Sequence, residues 1–174
     1  MVNNMMPFNV LLQHGLLYGA MTSVGLTALV LVSLRFWPMI WIHDAPAEVR
    51  AVAPPLTETE RRMRLIFVIL FFGWMLAVLV TSLLGLRRLG GGAVSFGDVA
   101  LTTFLIWMTF NVVDLLLLDW LLLNVIRPNL FTFPVTAVEN PFGGYTYHFI
   151  GFLKGTLMGA VFSLIVAGLA ALIW

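Results

Sequence analysis

The chain has 174 residues, of which 61% are hydrophobic and 10% are charged, and its mean hydropathy is +1.02. Soluble domains are about 45–50% apolar and about 25% charged, so this composition argues strongly against an ordinary water-soluble fold. A net charge of +1 without a long basic run argues against nucleic-acid binding, and the absence of cysteine excludes disulfides, thiolate metal ligands and thiol catalysis.

Four apolar stretches are each long enough to cross a bilayer as a helix, which takes about 20 residues. They cover about 8–34, 65–86, 99–125 and 149–174. Pro38 follows the first stretch, Gly90 begins a run of three glycines after the second, and Pro128 follows the third, as is typical of helix ends. The sequence predicts an all-α integral membrane bundle of four transmembrane helices with antiparallel neighbours, forming one domain over 1–174.

The first connection, about 35–64, begins with an aromatic segment from Trp37 to Ile42 that is typical of side chains at the lipid headgroup level. Thr57 with Glu60 fits a capping box, which predicts that the second long helix begins before the membrane. Ser95 with Asp98 predicts the same start signal for the third long helix.

Arginines favour one orientation of the bundle. Cytoplasmic connections of membrane proteins are enriched in Lys and Arg, so the first connection and the third, about 128–148, are predicted to be cytoplasmic and both termini to lie outside a bacterial inner membrane. The predicted cytoplasmic arginines are Arg35, Arg50, Arg61, Arg62, Arg64 and Arg127, against Arg87 and Arg88 on the other side.

The third predicted helix carries Asp119 and the fourth carries Lys154 inside the membrane, where a charged side chain costs about 2.5–3.5 kcal/mol. At 1.5 Å rise per residue, both lie about 9–12 Å from the same boundary. We therefore expect an intramembrane ion pair between Asp119 and Lys154. The pair would either lock the two helices together or handle protons or a substrate; alternatively, each side chain reaches the interface separately.

Asp114 lies five residues before Asp119, which in an α-helix turns it about 140° away, so the two carboxyls are not expected to share a face. Asn111 lies one turn before Asp114, and we expect these two to form an intramembrane polar cluster with Trp107 beside it. Asp114 would serve either as a neutral hydrogen-bonding group between helices or as a proton-exchanging carboxyl in transport.

Three glycines on the fourth helix, Gly151, Gly155 and Gly159, form consecutive small-xxx-small steps that predict close packing against the third helix. A homodimer groove is the alternative. The third connection is rich in proline and aromatic residues, and we expect it to fold back over a cytoplasmic pocket near Asp119, Asn124, Tyr147 and His148. An ordinary interfacial loop is the other interpretation of that segment.

Haem bound by two histidines within the bundle is disfavoured, because His14 and His148 lie at opposite membrane boundaries. His43 shares a side with His148, so depth alone leaves a surface site open. No common hydrolase, metalloprotease or nucleotide-binding fingerprint occurs, which makes an enzyme the least favoured class, although Asp119 with His148 could support acid–base chemistry. No cofactor follows from the sequence.

The run from Asn111 to Trp120, then Arg127-Pro128 and Pro134, and the run from His148 to Gly155 resemble the C-terminal half of certain small uncharacterised bacterial membrane proteins. The resemblance covers about 100–160 and implies a four-helix bacterial membrane unit with no particular activity.

Two functions remain. The first is a structural or accessory subunit of a membrane assembly or homo-oligomer, because 174 residues leave little room for a cavity. The alternative is a small proton- or ion-coupled transporter or channel that uses Asp114, Asp119 and Lys154. The expected partners are the lipid bilayer and either a second copy or a larger membrane complex.

Overall fold

A computed structural model describes residues 5–126 and 142–174, and these residues are almost entirely helical. The α-helices are α1 (Phe8–Phe36), α2 (Ala47–Val52), α3 (Glu58–Leu89), α4 (Phe96–Val113) and α5 (Tyr145–Ile173). A 3-10 helix, Pro38–Asp44, precedes α2, and a π-helix, Asp114–Ile126, continues α4. Four of these units are long and apolar enough to span a membrane: α1, α3, α4 with its π-helix, and α5. The predicted all-α bundle of four long apolar helices is confirmed, and the described part contains no strand.

The helix α4 lies in the middle of the bundle, with α1 on one side and α5 on the other, while α3 packs chiefly against α1. At one end, which we call the closed end, all four long helices contribute to a single apolar cluster of Leu11, Leu86, Val99, Ala167 and Ala170. The guanidinium of Arg87 also lies 5.2 Å from the ring centre of Trp174 there. The helices are therefore drawn together at the closed end.

Both predicted capping boxes are present in the structure. In the second of them, Ser95 accepts a hydrogen bond from the Asp98 amide while the Asp98 carboxylate accepts from the Ser95 amide at 3.0 Å. Asp98 is only 1% exposed, and its other oxygen accepts from the Met6 amide at 3.0 Å. A single carboxylate thus caps α4 and holds the N-terminal segment against it.

The first connection folds onto the opposite end of the bundle, which we call the open end. Its 3-10 helix and α2 bury a small apolar cluster of Met39, Ile42, Ala45 and Val49. The indole of Trp41 donates a hydrogen bond to the Ser33 hydroxyl of α1 at 3.0 Å. Met39 and Ile42 of this segment are buried against protein, and headgroup anchoring by its aromatic rings stays a prediction.

The π-helix changes which side chains share a face. In such a helix the backbone hydrogen bonds join residues five apart, so residues at that spacing lie one above the other. The side chain of Asn124 follows the same spacing, since its amide donates to the Asp119 carbonyl at 2.7 Å. Leu115 and Leu118 face protein, whereas Leu116 and Leu117 are about half exposed on the outer surface.

Candidate functional site

The open end of the bundle contains a cavity of about 670 Å³, within the range of about 300–1,000 Å³ typical of small-molecule sites. The expectation that a chain of this size has little room for a cavity is therefore wrong. Residues of the four long helical units and of the first connection line this space. The side chains of the wall that bear charge or can form hydrogen bonds include His43, Asp44, Arg50, Asn111, Asp114, Asp119, Tyr147, His148 and Lys154.

Asp114 and Asp119 both line this cavity. The expectation that they point apart assumed α-helical geometry, in which five residues give a rotation of about 140°. The π-helix begins at Asp114, and its spacing of five aligns Asp114, Asp119 and Asn124 instead. The structure therefore places two carboxyl groups on one wall of one cavity.

Asp119 forms an ion-pair contact with His148 on α5, with 3.0 Å between its Oδ1 atom and the imidazole Nδ1. The sequence predicted Lys154 as the partner, but Lys154 is exposed and makes no ion pair with any residue in the described parts of the chain. The difference follows from helix boundaries. Because α5 begins at Tyr145, earlier than predicted, His148 lies in its first turn and faces the π-helix.

The contact with Asp119 fixes how His148 can bond. A carboxylate can only accept a hydrogen bond, so the Nδ1 atom of a neutral imidazole must carry the ring proton and donate it to Asp119. The other ring nitrogen, Nε2, then has a lone pair. The His148 side chain is 10% exposed, and Nε2 is buried without a hydrogen-bond partner among residues 5–126 and 142–174. His148 therefore lines the cavity as a residue, but its unpaired Nε2 atom is closed off from the cavity space.

Asn111 binds the neighbouring helix instead of pairing with Asp114. Its side-chain amide donates to the Phe152 carbonyl at 3.0 Å and to the Thr156 hydroxyl at 3.1 Å, both on α5. Within the part of the chain that the structure describes, the Asp114 carboxyl takes part in no hydrogen bond. Asn111 therefore connects two helices, while Asp114 remains available to the cavity.

Two of the three predicted glycines lie against α4. A Cβ atom at Gly155 would lie 2.6 Å from Asn111 Oδ1, and one at Gly159 would overlap the indole of Trp107. The Trp107 indole also donates to the Gly155 carbonyl at 2.8 Å. At Gly151 a Cβ would have no atom within 4 Å, and this glycine lines the cavity. The helix α5 thus lines the cavity at Gly151 and packs closely against α4 at Gly155 and Gly159.

The first connection supplies the outer wall of the cavity. The Tyr147 hydroxyl donates to the Asp44 carbonyl at 2.7 Å, which ties α5 to the 3-10 helix. The pKa of the Asp44 carboxyl is raised, chiefly because desolvation penalises its charged form, although nearby Arg64 acts in the opposite direction. Phe142 also lines the cavity. The rest of the predicted fold-back of the third connection, with Arg127 and Pro128, falls in 127–141, outside the described residues.

Sequence reasoning named Asp119 with His148 only as a possible acid–base arrangement, assigned the ion pair of Asp119 to Lys154, and missed the shared face of the two aspartates. A polar residue at every fifth position in an apolar run was the available signal, since an α-helix would distribute such residues around its circumference. His14, on the other hand, lies at the closed end, bonds the Ser82 carbonyl at 3.0 Å and is not among the residues that line the cavity. No group of three or more His, Asp or Glu residues suited to a metal ion occurs in the described ranges.

Comparisons with protein-family models, with curated proteins and with solved structures find no match to this chain.

Proposed function

We propose that this chain binds a small solute in the open-end cavity and couples its movement across the membrane to proton exchange. The observation that carries the proposal is the placement of Asp114 and the Asp119–His148 pair on one cavity of a membrane bundle. Ionisable groups inside a membrane are costly and normally mark ion, proton or substrate pathways. This is the transporter alternative of the sequence, with His148 in place of Lys154 as the partner of Asp119.

The three groups have distinct roles in this proposal. Asp119 orients His148 through Nδ1, and the His148 imidazole takes part in the transfer of protons. Asp114, the first residue of the π-helix, provides a second proton-binding group that no hydrogen bond from a described residue occupies. Lys154 lines the same cavity from α5 and offsets the negative charge of the two carboxylates.

The proposal is tested by proton uptake into liposomes that contain the purified protein and an internal pH-sensitive dye, under a potassium diffusion potential. Asp114→Asn removes the carboxyl and keeps its shape, and we expect uptake to fall to the level of empty liposomes. Glu48→Gln is the matched control, because Glu48 is an exposed carboxylate on α2 outside the cavity wall. Uptake that is equal in Asp114→Asn and Glu48→Gln would contradict the proposal.

We also propose that the open end faces the cytoplasm of a bacterial cell. The first connection and the adjoining helix ends carry Arg35, Arg50, Arg61, Arg62 and Arg64, whereas the connection at the closed end has Arg87 and Arg88. Because the chain has no cysteine, single substitutions Glu48→Cys and Gly91→Cys report each side separately. In intact cells an impermeant maleimide that passes the outer membrane should label Gly91→Cys alone; labelling of Glu48→Cys alone would reverse the orientation.

A structural or accessory subunit is the second candidate, and the packing of α5 favours it. This helix packs mainly against α4 and the π-helix, which leaves its outer face to lipid, to a second copy or to another membrane protein. The mass of the detergent-purified particle, together with copurifying chains, tests this role. A stable assembly larger than one chain supports it, whereas a single chain with detergent contradicts it.

A further inference from the structure

We infer that the solute is a zwitterionic α-amino acid with an aromatic side chain, whose ammonium binds Asp114 and whose carboxylate binds Lys154. This inference rests on the proposed function, since it names the solute of the same cavity. Asp114 lines that cavity from the π-helix, and Lys154 lines it from α5. Neither side chain forms a hydrogen bond or an ion pair with any residue of the described ranges.

Both charged groups are accessible to a solute. In the described part of the chain, the buried side-chain atoms that lack a hydrogen-bond partner do not include the carboxyl oxygens of Asp114, so these oxygens have accessible surface. Lys154 is exposed, and its ammonium lies at the end of a flexible four-carbon chain that can turn into the cavity. A solute can therefore reach both groups, in contrast to the Nε2 atom of His148.

The other acidic side chains of the wall already have a basic group beside them. Asp119 contacts His148 at 3.0 Å, and Arg50 is close enough to Asp44 to act on its charge. Among the described wall residues, this leaves one carboxyl on the π-helix and one ammonium on α5. A ligand with a single charge would pair with one of them and leave the other without a counter-charge, which is costly inside a membrane. A zwitterion pairs with both.

Contacts on either side of Asp114 set its level against α5. Asp119 contacts His148, whereas Asn111 donates to groups that lie two residues before and two residues after Lys154. The two helices therefore run antiparallel, and Asp114 lies level with the part of α5 between His148 and Lys154. Along the helix axis, Asp114 and Lys154 are thus separated by less than one turn, which is about 5.4 Å. An α-amino acid carries its ammonium and its carboxylate on one carbon atom, which suits this short spacing.

Gly151 provides the space for the head group. It precedes Lys154 by three residues, so the two lie on nearly the same face of α5, at about the level of Asp114. A Cβ atom at Gly151 would have no atom within 4 Å, and this glycine lines the cavity. Because glycine lets another group approach the helix backbone closely, the head group can lie against Gly151 between the two charges.

The remaining wall favours an aromatic body. Trp41, Phe71, Phe110, Phe142 and Phe152 all line the cavity. Aromatic rings prefer offset-stacked or edge-to-face contacts with other rings, at about 0.5–1.5 kcal/mol beyond the area they bury. A volume of about 670 Å³ accommodates one or two fused rings with their head group. An aromatic amino acid therefore matches both the ring-lined wall and the two unpaired charges.

Three probes share an indole ring and differ only in the head group: L-tryptophan has both charges, tryptamine lacks the carboxylate and indole-3-propionate lacks the ammonium. Their dissociation constants are measured by equilibrium dialysis against the full chain in nanodiscs, with empty nanodiscs to subtract partitioning into lipid. We expect tryptophan to bind about tenfold more tightly than either analogue, because each analogue loses a hydrogen bond to a charged group. Equal constants for the three probes, or binding of tryptophan that never saturates, would overturn the inference without any variant.

Two variants assign the two ends of the head group. In Lys154→Met the preference for tryptophan over tryptamine should fall to about one, while the preference over indole-3-propionate stays. Asp114→Asn should show the reverse pattern. Arg61→Met and Glu48→Gln are the matched controls and should keep both preferences, because these two residues are exposed and do not line the cavity. Each preference is a ratio measured on one preparation, so loss of folded protein does not change it. A preference that survives the removal of its own partner would overturn the assignment.

The proton-uptake assay separates the two proposals. Uptake that depends on Asp114 without a tryptophan preference removes the solute class alone. A tryptophan preference without proton uptake removes proton coupling alone.

Discussion

Replacing Gly159 by alanine should weaken the packing of α5 on α4, whereas the same change at Gly151 should not. A Cβ atom at Gly159 would overlap the indole of Trp107, and at Gly151 it would meet no atom within 4 Å. The indole cannot move away freely. It donates a hydrogen bond to the Gly155 carbonyl at 2.8 Å and packs against Phe162, with 5.6 Å between ring centres.

The magnitude follows from the difference between the two variants. Both exchange a helical glycine for alanine, so the gain in helix propensity of about 1 kcal/mol is common to them and cancels. Overpacking a well-filled contact costs about 1–3 kcal/mol. Loss of the Trp107 hydrogen bond adds about 0.6 kcal/mol, the average for such bonds in membrane proteins. We therefore expect Gly159→Ala to be less stable than Gly151→Ala by about 2–3 kcal/mol.

The assay is equilibrium unfolding in mixed micelles with increasing sodium dodecyl sulfate, followed by tryptophan fluorescence. Gly151→Ala should be at least as stable as the natural chain, and Gly159→Ala should unfold at a lower detergent fraction. Equal stability of the two variants would refute the packing argument. A larger loss in Gly151→Ala would indicate instead that the glycine face contacts a second chain.

Three further variants test single contacts. Asp98→Ala should lower the thermal unfolding temperature in detergent, since a buried charged hydrogen-bond network at the start of α4 is worth about 1–3 kcal/mol, and an unchanged temperature would contradict that role. Asn124→Leu removes the 2.7 Å hydrogen bond to the Asp119 carbonyl, so it should accelerate amide hydrogen exchange in the π-helix but not in α5. Equal exchange rates in the variant and the natural chain would show that this bond does not stabilise the π-helix. Thr57→Ala should cost about 0.5–2 kcal/mol of stability through loss of the exposed cap of α3 and leave proton uptake intact, so reduced uptake would show that this helix start affects the cavity.

The long helices could be predicted because their signals are local. A run of about 20 apolar residues forces helix in lipid, where the backbone must satisfy its own hydrogen bonds. The pairs Thr57 with Glu60 and Ser95 with Asp98 mark helix starts through contacts three residues apart, and both are present. These local signals do not predict how the helices pack against one another. The cavity at the open end is lined by residues from distant parts of the chain, which these local signals do not bring together.

The first connection likewise has a local pattern that can be recognised in the sequence and distant contacts that cannot. Its aromatic segment predicts a position at the headgroup level, but the local pattern does not identify the contacts that the segment makes with Ser33 and with the apolar cluster around Val49. At the candidate site, His148 was placed correctly near Asp119 as a pocket residue, but the ion pair was assigned to Lys154. Depth in the membrane was the criterion used, and depth does not distinguish side chains that lie one or two turns apart on the same helix.

The π-helix explains why Asp114 and Asp119 share a face although α-helical geometry predicts that they point apart. In a regular α-helix, Asp114 and Asp119 would lie about 140° apart, so one of them would turn toward lipid at a cost of about 2.5–3.5 kcal/mol. Hydrogen bonding five residues apart brings both toward the cavity and leaves Leu116 and Leu121 on the outer surface. The π-helix is a less favourable backbone conformation than the α-helix. This cost is offset because no carboxyl group has to face lipid. In this chain, polar residues at every fifth position, Asp114, Asp119 and Asn124, therefore suit π-helical geometry in a helix that has a polar cavity on one side.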